Sequence, residues 1–155
     1  MASRTSRHNP ATVSDRPEAF RRIYSHAVEV SAGTRLLFIS GQIGATREGT
    51  LRTGFSEQCE QAMENVEALL AAARMTKADA VKITYFLTRA EDLPALGEAR
   101  RRRWASAEPP AVTTIVVAAL ASPEYLVEIE VAAAACVSIR NCWQAEIACD
   151  ATVAG

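Results

Sequence analysis

Residues 109–135 carry the groups best suited to chemistry. Val127, Ile129 and Val131 alternate there with Glu128 and Glu130. A strand sends successive side chains to opposite faces, so the two carboxylates leave from one face. Two readings are open for that face. It is the solvated side of an antiparallel sheet, or one carboxylate lines a pocket that a neighbouring subunit covers. The flanking Leu126 and the four alanines 132–135 favour some cover. Upstream, Thr113 and Thr114 place one hydroxyl on each face of a strand, so only one of them can enter a given cleft. Thr114 shares parity with Val112 and can donate or accept a hydrogen bond. Ser40-Gly41 ends an apolar run, and Tyr24 offers a phenol early in the chain. Each has an ordinary alternative: a strand-end turn for Ser40, edge packing for Tyr24.

No Ser-His-Asp or Cys-His motif supports a covalent nucleophile, and no glycine-rich phosphate loop is present. His8 and His26 are the only histidines. Cys59 falls in a helical pattern and reads as a small core residue. Cys136, Cys142 and Cys149 form no C-x-x-C pair, so neither a metal site nor a cofactor is expected. Arg100 to Arg103 form a run on a predicted helix. Four consecutive residues point all round a helix, which suits a solvated surface better than a nucleic-acid groove. A net charge of -1 argues the same way.

These residues need elements to hold them. Residues 22–30 alternate and predict a first strand; 36–40 predict a buried second, paired with the first as a hairpin across the turn at 31–34. Cys59, Ala62, Met63, Val66, Leu69, Leu70 and Ala73 recur at three- and four-residue steps and predict an amphipathic helix, with Ser56 as N-cap. Residues 80–88 predict a third strand. Asp92 can cap a second helix, with Pro94 in its first turn and Leu93, Leu96 and Trp104 as its apolar points. Residues 112–120 and 126–132 predict two further strands around the 122–124 turn. The order β-β-α-β-α-β-β predicts an α+β fold: one mixed sheet with both helices on one face. The other face then lacks cover, which oligomerisation would supply.

With 155 residues, 49% hydrophobic and 23% charged, one globular domain is expected. It spans 22–135, after a flexible lead-in over 1–21 and before a tail over 136–155. No apolar run is long enough to span a membrane, and the N-terminus lacks the apolar core of a secretory signal, so a cytoplasmic location is expected.

Together the pieces Tyr24-Ser25-His26-Ala27-Val28, Ser40-Gly41-Gln42-Ile43, Glu57-Gln58 leading to Asn65, Asp79 with Val81-Lys82, Asp92, and Val127-Glu128-Ile129-Glu130 resemble the Rid (reactive intermediate deaminase, YjgF or L-PSP) family. The resemblance covers roughly residues 22–135. It implies a chorismate-mutase-like fold and a homotrimer with inter-subunit clefts. In the family those clefts bind small carboxylated imines or enamines and hydrolyse them to keto acids and ammonia; some relatives carry a ribonuclease label. The cleft positions fall on Tyr24, Ser40, Gly41, Thr114 and Glu128, with Glu128 placing or activating water. Where the deaminases carry a carboxylate-gripping arginine, Val112 stands here, and an asparagine of helix two is Gly97. Valine has no donor, so weak binding of standard 2-imino acids is the expectation. A trimeric binding or regulatory protein without turnover is the alternative function, and an RNA-acting protein a weaker one.

Overall fold

The computed structural model describes residues 5–136. A central sheet of four strands has the order β3-β6-β4-β5, made of β3 (Thr34–Ile43), β4 (Ala80–Leu87), β5 (Ala111–Val116) and β6 (Val127–Cys136). β6 pairs antiparallel with both β3 and β4, and β4 pairs parallel with β5. A separate antiparallel ladder joins β1 (Thr5–His8) to β2 (Ala27–Val30). Two helices, α1 (Gly54–Ala72) and α2 (Leu93–Trp104), follow β3 and β4. The expected mixed sheet and α+β order are present, with β1 added.

Burial follows the strand period. On β4, Ile83, Tyr85 and Leu87 are buried while Lys82, Thr84 and Phe86 are half-buried. On β6, Val127, Ile129 and Val131 are buried beside the half-buried Glu128 and exposed Glu130. From α1, Cys59, Ala62, Met63, Val66 and Leu70 complete the core; from α2, Leu96, Ala99 and Trp104 do. Both helices therefore cover one face. The opposite face leaves Leu36, Phe38 and Ile115 exposed, Phe38 at 77%. Among the described residues nothing covers that face, as the sequence led one to expect.

Several expectations need correction. β2 pairs with β1 and not with β3, so the predicted hairpin is absent; β3 runs beside β6 instead. The segment read as a lead-in holds β1, and the first strand starts at Ala27. β5 stops at Val116, because residues 117–126 must cross over β4 to bring β6 to its other side. α1 starts at Gly54 with Thr53 as N-cap, so Ser56 lies inside the helix. Asp92 sits at the start of α2 without capping it; Arg89 occupies its carboxylate at 2.8 and 3.1 Å. Leu69 and Leu93 face outward. The 137–155 part of the expected tail lies outside the described residues.

The arginine run divides. Arg102 and Arg103 bind Glu60 on α1, and Arg103 also grips Glu67 at 3.0 and 3.1 Å. Trp104 Nε1 donates to Glu67 at 2.7 Å. Those hydrogen bonds hold the Glu67 carboxyl below its ordinary pKa of 4.5. Its stabilisation is therefore fully present above about pH 4.5 and lost as pH falls through the lowered folded value. We expect Glu67→Gln to flatten the fall in unfolding free energy on acidification, by at most about 1.4 kcal/mol per pH unit and less for its solvent access. Urea denaturation between pH 6 and pH 3 checks this; an unchanged acid slope would show the pair to be idle.

Candidate functional site

The candidate residues collect at two places. The first is a break in β3. Ile39 pairs with Val131 and Gln42 with Ile129, so Ser40 and Gly41 together oppose Glu130 alone. This is a β-bulge, which re-aims the chain locally. The Glu128 side chain lies across it. A Cβ built on Gly41 would stand 1.7 Å from Glu128 Oε1, so only glycine admits the carboxylate there. Glu128 has no hydrogen-bond or ion-pair partner among the described residues, and Ser40 is exposed.

Two side-chain amides brace this region from α1. Gln58, 2% exposed, donates to the Arg52 and Glu124 carbonyls at 3.2 and 3.0 Å and accepts from Leu126 N–H at 2.9 Å. It ties the 117–126 crossover down just ahead of Glu128. Asn65 donates to the Ile43 and Ala45 carbonyls at 3.1 and 2.9 Å, anchoring the end of β3 beyond the bulge. Gly44 passes so close to the Gln58 backbone that a Cβ would fall 2.3 Å from its Cα. The Glu57-Gln58 to Asn65 spacing thus sets helix, bulge and β6 relative to one another.

The second place is an open depression of about 340 Å³ beside edge strand β5, lined by Pro17, Phe20, Tyr24, Arg100, Val112 and Thr114. A short 3-10 turn at Glu18–Phe20 and the Tyr24 N–H to Phe20 carbonyl bond (3.2 Å) shape its outer wall. Ser25 pins that wall to β5, donating from N–H to Pro110 O and from Oγ to Pro109 O, each at 2.8 Å. The Arg16 guanidinium lies 5.9 Å from the Tyr24 ring centroid.

Sequence reasoning placed Glu128 opposite Val112 and Thr114 in one cleft. Within one chain they lie on different faces. Val112 and Thr114 are in register with Ile83 and Tyr85, on the helix side. Glu128 is in register with Phe86 on β4, beside Ile115 of β5, on the open side. Thr113 also points to the open side, where Lys82 Nζ donates to its hydroxyl.

Arg100 was missed. It is 8% exposed, its guanidinium 5.0 Å from the Tyr85 ring centroid. A signal existed: Arg100 stands four residues from both Leu96 and Trp104, on the buried stripe of α2. A second, apolar cleft under the helices, lined by Leu70, Ile83, Trp104 and Val131 among others, contains none of the predicted residues. Among the described residues no group of three or more His, Cys, Asp or Glu could hold a metal ion, and no helix is long and apolar enough to cross a membrane.

The family model described as Endoribonuclease L-PSP matches residues 13–135. The chain belongs to this family, the Rid/YjgF/L-PSP proteins. A RutC family protein of Aquifex aeolicus is 43% identical over 76 residues, 48% of this chain and 58% of that protein's own length. The chain thus matches less than two thirds of that relative. A 2-iminobutanoate/2-iminopropanoate deaminase of Dermatophagoides farinae is 33% identical over 99 residues, 63% of this chain and 74% of the relative. The crystal structure of a Rid protein of unknown function from Yersinia pestis, YyfB, superposes with a TM-score of 0.72 at 32% identity, covering 87% of this chain and all of that one. E. coli TdcF, solved with bound serine, superposes with a TM-score of 0.61 at 27% identity, covering 74% and 94%. The chorismate-mutase-like Rid fold expected from the sequence is the one observed.

The bulge yields a direct test. Gly41→Ala should displace the Glu128 carboxylate, the far end of a flexible side chain, while leaving the fold intact. A crystal structure of the variant should show Glu128 swung off the bulge, with a melting temperature within a few degrees of wild type. An undisturbed Glu128 would mean that the backbone yields instead. By contrast, Gln58→Ala should cost about 1–3 kcal/mol in urea unfolding, because it strands the Arg52 and Glu124 carbonyls and the Leu126 N–H.

Proposed function

We propose that this Rid-family protein binds a small imine or enamine in a cleft between two copies of the chain and hydrolyses it to a carbonyl compound and ammonia. The observation that carries this reading is the Glu128 carboxylate, seated on the Ser40-Gly41 bulge with no partner among the described residues. A half-buried acid left unpaired beside the bulge is suited to general-base work. Two further features support it. The helix-side depression with Tyr24, Val112 and Thr114 lies beside an edge strand, and the uncovered face bearing Glu128 also exposes Leu36 and Phe38. A second copy laid against that face would bring one chain's Glu128 to another's Tyr24 and Thr114. A closed ring of three such contacts is the proposed assembly. The deaminase relative and the serine-bound homologue agree with a small amino-acid-like ligand.

In this scheme Glu128 takes a proton from a water molecule as the water oxygen bonds to the imine carbon. That proton passes to nitrogen to give a carbinolamine, and the carbinolamine hydroxyl proton then follows it to nitrogen as the C–N bond breaks, ammonia leaves and the C=O bond forms. An enamine first takes a proton at carbon and gives one up from nitrogen to become the imine. Thr114 and Tyr24 hydroxyls hold the substrate's polar end. The proposed setting is the cytoplasm, in keeping with free thiols at Cys59 and Cys136.

RNA chemistry loses its sequence support: Arg100 is buried, and Arg102 and Arg103 are engaged by glutamates of α1.

Ammonia release from imines generated in situ by an amino-acid oxidase tests the activity. Glu128→Gln is expected to lower kcat at least about 100-fold with folding unchanged. Wild-type rates in the variant would overturn the role of Glu128. Ligand binding without turnover would favour the regulatory alternative. Light scattering should give a trimer, and Phe38→Glu should dissociate it and abolish turnover together; a wild-type monomer at micromolar concentration would rule out the shared cleft.

A further inference from the structure

We infer that Arg100 is the anion-holding group of the Tyr24/Thr114 depression, so that the ligand carries a carboxylate. The inference rests on the proposed location of the site, and concerns what the site selects. Arg100 reaches the depression from α2, beneath the position where Val112 offers only methyl groups. It is more than nine-tenths buried, yet no carboxylate of the described residues pairs with it. Its contacts are the Tyr85 ring and one long hydrogen bond, 3.5 Å, from Nη2 to the Ile23 carbonyl. A guanidinium carries five N–H donors in a planar fork. Most of that fork has no acceptor among the described residues.

Buried cations are ordinarily paired. Even the neighbouring, less buried Arg102 and Arg103 pair with glutamates on α1. Arg100 instead shares the lining of an open depression with a phenol and a threonine hydroxyl, and no acid among the lining residues competes for it. Tyr85 fixes the guanidinium by its ring face. Burial, helped by the neighbouring charge of Arg101 and opposed by Tyr85, lowers the Arg100 pKa from the ordinary arginine value, but arginine remains cationic at neutral pH. A preset cation with free parallel donors, little water and apolar walls at Phe20 and Val112 is suited to a planar carboxylate bound through two hydrogen bonds. The loss of an arginine at position 112 would then not remove carboxylate recognition; the guanidinium would enter from the helix side instead of from the strand.

The test separates binding from turnover by using pyruvate, a carboxylate that cannot be hydrolysed, and its neutral amide. Titration calorimetry of the full-length protein is expected to show pyruvate binding about 10- to 100-fold more tightly than pyruvamide. Arg100→Gln should erase that preference, Arg100→Lys should keep part of it, and Glu128→Gln should keep it. Absence of the preference in wild type, or its persistence in Arg100→Gln, would overturn the inference. Should Arg100→Gln fail to fold, a wild-type crystal soaked in pyruvate decides: a carboxylate within hydrogen-bond distance of Arg100 supports the assignment, and one held elsewhere overturns it. Arg100-dependent binding without ammonia release would sink the proposed hydrolysis and leave this inference standing. Hydrolysis that needs Glu128 but ignores Arg100 would do the reverse.

Discussion

Every residue of β4 must send its side chain to one face of the sheet or the other, and that alternation decides how the site is built. Ile83, Tyr85 and Leu87 go under the helices. Register then passes the choice sideways: Val112 and Thr114 on β5 follow Ile83 and Tyr85, while Glu128 on β6 follows Phe86 to the open side. Shifting either register by one residue would bury the glutamates and expose the core. The division of the candidate groups between two faces is therefore as firmly held as the core itself. The face that carries Glu128 is also the one that leaves Leu36, Phe38 and Ile115 exposed.

The parallel pairing of β4 with β5 serves the same end. A parallel neighbour cannot be reached by a tight turn, so the chain must cross over through α2. That crossover sets Leu96, Arg100 and Trp104 against the helix side of the sheet and leaves β5 at the edge, where Tyr24 and Phe20 can reach it. The next connection, 117–126, must then pass β4 again to deliver β6 to the centre. It has no regular structure to hold it, so Gln58 does so with two hydrogen bonds, to the Glu124 carbonyl and from the Leu126 N–H. The bulge, the buried amide and the crossover are one arrangement with Glu128 at its end.

Elements whose stability comes from a single buried stripe were readable: the α1 spacing, the β6 alternation and the β4 run each appear in the structure nearly as expected. What escaped depends on partners distant in sequence. The hairpin between residues 22–30 and 36–40 was the local solution, but β3 is a ten-residue strand, and β6, of equal length, offers it a full-length partner. β1 has no apolar period because its ladder with β2 stands apart from the main sheet, and its polar residues make their own contacts, as between His8 and Glu29 at 2.9 Å. For the site, parity correctly grouped Val112 with Thr114. It could not show that Glu128 leaves from the other face, because that depends on the order of strands in the sheet.

Arg100 is the case where a local rule was broken and the break carries information. A run of four arginines reads as surface, and three of the four keep a charge partner or solvent within reach. The fourth lies on the stripe that Leu96 and Trp104 define, where leucine or methionine would pack without the desolvation cost of a cation, a cost of several kcal/mol for an unpaired ion even after relaxation. The fold recovers part of that cost from the Tyr85 ring and the Ile23 carbonyl. Neither needs a guanidinium at this point, since tyrosine packs equally well against an aliphatic chain. What a guanidinium supplies, and no apolar residue could, is a set of oriented donors at the floor of a depression whose walls are a phenol, a hydroxyl and hydrocarbon. A strained or unpaired group is retained where its use outweighs its cost to folding, and the use available to this one is the recognition of an anion.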